Sequence, residues 1–162
     1  MLIRCLYLVS FIICLQGCVA AGKGKAFQSI EYASSQEAIL YLYRDDDTAD
    51  FRKPDILING KQVTELPNKT YYRLVLAPGR YNIQTKWAWD VEVPPIDYDL
   101  ELVGGETYFV RLWAGSKDEG LIITGIPSYP VMPDMSFFSA AFLQTEDEAI
   151  PVLSKTRAVS AN

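Results

Sequence analysis

The chain has 162 residues, with 20 acidic against 15 basic side chains and a net charge of −5. That balance argues against a nucleic-acid surface or a polybasic membrane patch, both of which need clustered cations. Histidine is absent and the cysteines are Cys5, Cys14 and Cys18. Zinc, copper, haem and iron–sulfur sites therefore lose their main ligands, and Ser-His-Asp and Cys-His catalysis are excluded.

In chain order, Arg4 precedes an apolar run over 6–15, LYLVSFIICL. Its length suits a signal-peptide core and falls far short of the ~20 residues that cross a bilayer as a helix. The run ends in Leu15-Gln16-Gly17-Cys18. An ordinary secretory leader ends in a small-x-small site, whereas here leucine sits three residues before the cut and cysteine just after it, as in bacterial lipoproteins. A thiol at the new N-terminus takes a diacylglyceryl group as a thioether, and the freed amine is then acylated. Residues 1–17 are expected to be a removed leader, and Cys18 the lipidated start of the mature protein. At about 0.8 kcal/mol per buried methylene, two or more acyl chains hold a protein on a membrane stably. Val19 stands where aspartate is the usual mark of inner-membrane retention, so the expected address is the outer membrane, facing the periplasm. The body after Cys18 has no thiol for an internal disulfide, although the periplasm would permit one.

Residues 18–36 are small and polar with little apolar periodicity, and read as a tether. From 37 onward the pattern is β. The run 38–43 (AILYLY) is apolar on both faces, as in a central strand. The acidic stretch 45–50 reads as a solvated loop. Residues 55–58, Asn59-Gly60 and 61–66 predict a hairpin, since Asn-Gly takes the two positive φ angles of a type I′ turn. Strands follow over 70–76 and 81–87, joined by Ala77-Pro78-Gly79. In the second, Tyr81, Ile83, Thr85 and Trp87 share one face. Residues 96–102 alternate likewise, Gly104-Gly105 turns the chain, and 107–114 predicts another central strand. One more strand is expected at 121–124. These elements predict an all-β protein, an antiparallel β-sandwich of about seven strands, Ig-like or prealbumin-like, over 37–126. Pro127, Pro130 and Pro133 mark 127–162 as an irregular extension. Within it 136–144 (SFFSAAFLQ) reads as a strand or a short helix, and 150–153 as a final strand.

The order AILYLYR, ILINGKQVTEL, TYYRLVLAPGRYNIQT, LELVGGETYFVRL resembles an uncharacterised family of small bacterial lipoproteins whose shared region is a domain of unknown function. It is also similar to PEGA-like and carboxypeptidase-regulatory-like β-sandwiches, which share the Asn-Gly hairpin and the following Pro-Gly-x-Tyr step. The resemblance covers 37–115. It implies turn residues at Asn59-Gly60 and Pro78-Gly79 and core tyrosines at Tyr81 and Tyr108, and it brings no catalytic or cofactor residue.

Three groups invite a functional reading. Asp45, Asp46, Asp47 and Asp50 offer clustered carboxylates to calcium, but lack the glycine and distal glutamate of an EF-hand loop. Asp97 and Asp99 could pair as in a glycosidase, but alternate outward on a strand. Trp87 and Trp89, two residues apart, would share a strand face and with Trp113 and Tyr98 could make an aromatic platform for a sugar ring. Trp87 reads as core, which leaves Trp89 and Trp113 as the candidate ligand contacts. The expectation is a lipid-anchored, non-enzymatic binding or scaffolding module with an envelope protein or glycan as partner and with no metal or cofactor. The alternative is a module that contacts carbohydrate or peptidoglycan through exposed aromatics.

Overall fold

The computed structural model describes residues 24–46, 52–116 and 137–160. Cys18, the leader and the strand expected at 121–124 lie outside them. The strands are β1 (Ala38–Arg44), β2 (Asp55–Ile58), β3 (Lys61–Glu65), β4 (Thr70–Leu76), β5 (Gly79–Lys86), β6 (Asp97–Leu102), β7 (Thr107–Ser116), β8 (Phe137–Gln144) and β9 (Arg157–Ala158), with one helix, α1 (Glu146–Leu153), before β9. They form a five-stranded sheet, ordered β8-β7-β1-β4-β9, facing a four-stranded one, ordered β3-β2-β5-β6.

The alternation of β1 sets the layers. Ala38, Leu40 and Leu42 point between the sheets, where they meet Ile56, Ile83, Leu100, Leu102, Val110 and Leu112. Ile39, Tyr41 and Tyr43 point the other way, and with Phe109 form a second apolar cluster on the outer face of the five-stranded sheet. All seven residues of β1 are buried. A strand apolar on both faces needs cover on both, because each exposed leucine-sized side chain forgoes about 1.5–3 kcal/mol of burial.

That outer cover explains two departures from the expected organisation. The stretch read as a tether is packed from residue 24: Phe27, Ile30 and Ala33 lie on the second cluster, and Phe27 meets Tyr41 and Tyr71 edge-on. Nor is the C-terminal stretch irregular where it is described. Of the run 136–144, the described residues 137–144 form a strand, β8, paired along β7 from Phe109↔Gln144 to Ser116↔Phe137. The run expected as a final strand lies in α1, which buries Ala149 and Leu153, four residues apart, on the second cluster. Thr145 starts the helix by donating its amide and hydroxyl to the Glu148 carboxylate, which holds that carboxyl below its usual range. Beyond α1, β9 runs beside β4, and the Thr64 hydroxyl donates to Ser160 O, tying the end of the chain to the opposite sheet.

The sandwich is therefore of mixed direction and not wholly antiparallel. β1 pairs with β7, and β4 with β9, in parallel. Both pairs join segments far apart in sequence, and only such separation leaves room for a parallel crossover.

The hairpin forms as its sequence dictates. Asn59 and Gly60 have φ of 50° and 75°, the signs a type I′ turn requires. A Cβ at Gly60 would meet no atom within 4 Å, so a substitution there is opposed by backbone conformation alone. Gly60→Val should lower folding stability by about 1–2 kcal/mol in thermal melts. An unchanged melting temperature would show that the turn relaxes without loss.

Candidate functional site

The register of β1 brings an unexpected side chain inward. Arg44 has the parity of Leu40 and Leu42, so it enters the space between the sheets at the end of the strand, and only 1% of it is exposed. Its Nε and Nη2 donate to the two carboxylate oxygens of Asp46 at 2.5 and 2.8 Å, and its Nη1 donates to Arg52 O at 2.8 Å. The guanidinium lies 5.0 Å from the centre of the Trp87 ring, in cation–π geometry. Asp46 is fully enclosed. Burial pushes its carboxyl above the ordinary range, and Arg44 and the Ala114 amide draw it part of the way back. A bidentate guanidinium fork satisfies both oxygens at once, which is the geometry a buried ion pair requires.

Around this pair the end of the sandwich is knitted from distant segments. The Asn68 amide donates to Asp46 O, and Asp45 takes Arg111 Nε at 2.6 Å. Tyr43 donates its hydroxyl to Gln144, and burial pushes that hydroxyl well above its ordinary value. The β5–β6 connection crosses beneath: Asp90 pairs with Arg52, and Ser139 donates to Pro94 O at 2.6 Å. The Asp46 carboxylate is therefore an enclosed ion-pair partner and the Asp45 carboxylate a partly exposed one, rather than free groups of a solvated loop, while Asp47 and Asp50 lie outside the described residues. Among the described residues, no group of three His, Cys, Asp or Glu side chains could hold a metal ion.

The aromatic platform does not assemble. β5 ends at Lys86, so Trp87 and Trp89 do not share a strand face. Trp87 is half-buried against Arg44, and its Nε1 finds no acceptor among the described residues. Tyr98 packs on the inner core. Trp113, expected as a ligand contact, is only 8% exposed. It lies against Phe138 with ring centres 4.6 Å apart, because β8 extends the sheet beyond β7. Trp89 alone is presented, 97% exposed, on a tight turn closed by the Val91 amide on Ala88 O at 3.1 Å. Asp97 and Asp99 face outward and accept hydrogen bonds from Asn82 at 2.5 and 2.8 Å, so neighbouring amides hold them.

Sequence reasoning passed over Arg44 although a signal was present. A basic residue continues the inward parity of Leu40 and Leu42, with an acid at the next inward position, and such spacing marks a buried pair.

These features define a two-sheet β-sandwich domain plugged at one end by an enclosed ion pair. The chain belongs to the family described as protein of unknown function, DUF2846, whose model matches residues 34–123. No curated protein and no solved structure matches it. The family region runs from just before β1 through β7. The strap over 24–33, β8, α1 and β9 lie outside it, so most of the cover on the outer face of the five-stranded sheet comes from beyond the family region.

Proposed function

We propose that the protein is a lipoprotein of the cell envelope, held by acylated Cys18 at the outer membrane facing the periplasm, and that its sandwich is a non-enzymatic binding or scaffolding module. The observation that carries this reading is the tetrad Leu15-Gln16-Gly17-Cys18 behind a short apolar run and Arg4. No helix among the described residues is long and apolar enough to cross a membrane, and a lipid chain anchors without one. The charged groups of the plugged end favour a structural role, since each enclosed carboxylate is committed to an arginine and is poorly placed to exchange protons with a substrate.

Intact mass measurement of the protein extracted from membranes tests the anchor. The expected mass begins at Cys18 and carries acyl chains, and Cys18→Ser should leave an unprocessed precursor or release the body from the membrane. A mature chain that starts elsewhere, or lacks acyl mass, rules the reading out. The second reading, a glycan-contacting module, is favoured by the exposure of Trp89. Co-sedimentation with isolated peptidoglycan that is lost in Trp89→Ala would select it over a scaffold that engages envelope proteins.

A further inference from the structure

We propose that the end of the sandwich bearing Trp89 faces the bilayer, and that Trp89 enters the lipid headgroup region as a second point of attachment. The inference rests on the Cys18 anchor and adds an orientation to it.

Three observations carry it. The first is where the N-terminal strap meets the sandwich. Gly24 O accepts from Arg157, Lys25 O accepts the Ala158 amide at 2.8 Å, and Ala26 bridges Arg157. Arg157 and Ala158 pair with Thr70 and Tyr71, which in turn pair with Arg44 and Tyr43. The N-terminal segment thus enters at the end of β1 that carries Arg44. Six residue steps separate Cys18 from Gly24, a reach of about 20 Å when fully extended. The opposite end of the sandwich lies further away by the length of β1, seven residues or roughly 23 Å. The tether is therefore too short to let the far end replace the near one at the membrane.

The second is that Trp89 lies at this same end. Trp87 sits under Arg44, Asp90 pairs with Arg52 just ahead of β2, and β5 approaches through Lys86↔Asp55. A tryptophan wholly in water on a loop tip loses the benefit of its large apolar ring. At a membrane interface the ring is buried while the indole N–H keeps a polar partner.

The third is charge. Lys25, Lys69, Lys155 and Arg157 are all exposed, and they cluster where the N-terminal strap, the start of β4 and β9 meet, with the Arg157 amide on Lys69 O. The acidic first turn of α1 (Glu146, Asp147, Glu148) is at the helix end away from them. Acidic groups are present here too: Asp90, paired with Arg52, and the exposed Glu92 share the Trp89 loop, and Asp45, paired with Arg111, lies at the same end. The basic cluster, at the β9 edge of the five-stranded sheet, lies at the same end of the sandwich as Trp89, and the two together suit an anionic lipid surface.

The test uses the acylated full chain in vesicles of phosphatidylethanolamine and phosphatidylglycerol, with and without a nitroxide high on the acyl chain. Tryptophan emission is expected to be quenched by the nitroxide and shielded from acrylamide. Both effects should largely fall away in Trp89→Ala, in which Trp113 is buried and the half-buried Trp87 leaves only a residual signal. Lys25→Glu combined with Lys69→Glu should weaken the quenching while the chain stays attached. An acylated chain whose Trp89 remains open to acrylamide and unaffected by the nitroxide overturns the orientation and leaves the anchor standing. An unacylated chain overturns both. Shielding that arises only when peptidoglycan is added assigns Trp89 to a glycan and also overturns the proposal.

Discussion

Arg44→Met is expected to destabilise the protein by about 3–5 kcal/mol, because it leaves a carboxylate enclosed without its counter-charge. Methionine retains much of the aliphatic stem, so the loss measures the missing guanidinium and not a large void. Asp46 would keep the Ala114 amide but lose both hydrogen bonds from Arg44. The sign of the pH dependence follows. Without Arg44 the carboxyl, already raised by burial, rises further. Its proton is then held more tightly in the folded than in the unfolded chain, so the deficit is small in acid and grows as pH climbs through the raised pKa. Urea unfolding at acidic and neutral pH reads both effects. In the double variant Arg44→Met/Asp46→Leu most of the stability should return, since an apolar pair of similar volume needs no counter-charge. If the single variant matches the wild type at neutral pH, water already reaches Asp46 and the plug is not sealed.

Trp113→Ala should cost a further large amount, about 3–5 kcal/mol, as for other buried tryptophans cut to alanine. The ring lies on the outer face of the five-stranded sheet against Phe138. It also lies over Gly115, where a Cβ would come within 1.7 Å of the indole. The indole therefore fills a slot that glycine makes possible, and removing it leaves a cavity that β7 and β8 cannot easily close. A melt indistinguishable from wild type would show that the residue is a surface aromatic after all, free to act as a ligand contact. The exposed Trp89 is the natural control, and Trp89→Ala should leave the melt unchanged.

The contrast between the two tryptophans shows how far sequence patterning reaches. Alternation in β5 and β6 and the Asn-Gly hairpin are local properties, and each is found where the residues place it; the turn at Asn68-Lys69 is equally local. Lys69 takes a φ of 56°, and its amide donates to the Asn68 side chain at 2.8 Å, as a short polar turn requires. The two-faced apolar character of β1 was equally readable. What covers it was not, because Phe27, Ile30 and Ala33 are too few and too widely spaced to announce a packed strap. β8 is nearly uniform in hydrophobicity and has no period to distinguish helix from strand. In α1, Pro151 and the flanking Ile150 and Val152 suggest extended chain. The helix is carried instead by its Glu148 cap and by Ala149 and Leu153 packing on tyrosines distant in sequence. Trp113 is buried through that same non-local return of β8. Trp89 stands on the turn closed by Ala88 and Val91 and is left exposed there.

The clamp between the two ends of the described chain has a mechanical consequence. Gly24, Lys25, Ala26 and Phe27 are bonded to Thr156, Arg157 and Ala158. A pull along the N-terminal strap therefore reaches the C-terminal strand before it reaches β1. The strap lies antiparallel to β9 at Ala26↔Arg157, so tension along it shears neighbouring hydrogen bonds together and does not peel them singly. The C-terminal strand thus acts as a strain relief for the sandwich, and a chain cut before Thr156 would pass the load to the packing of Phe27, Ile30 and Ala33 and to the Glu31–Arg73 ion pair.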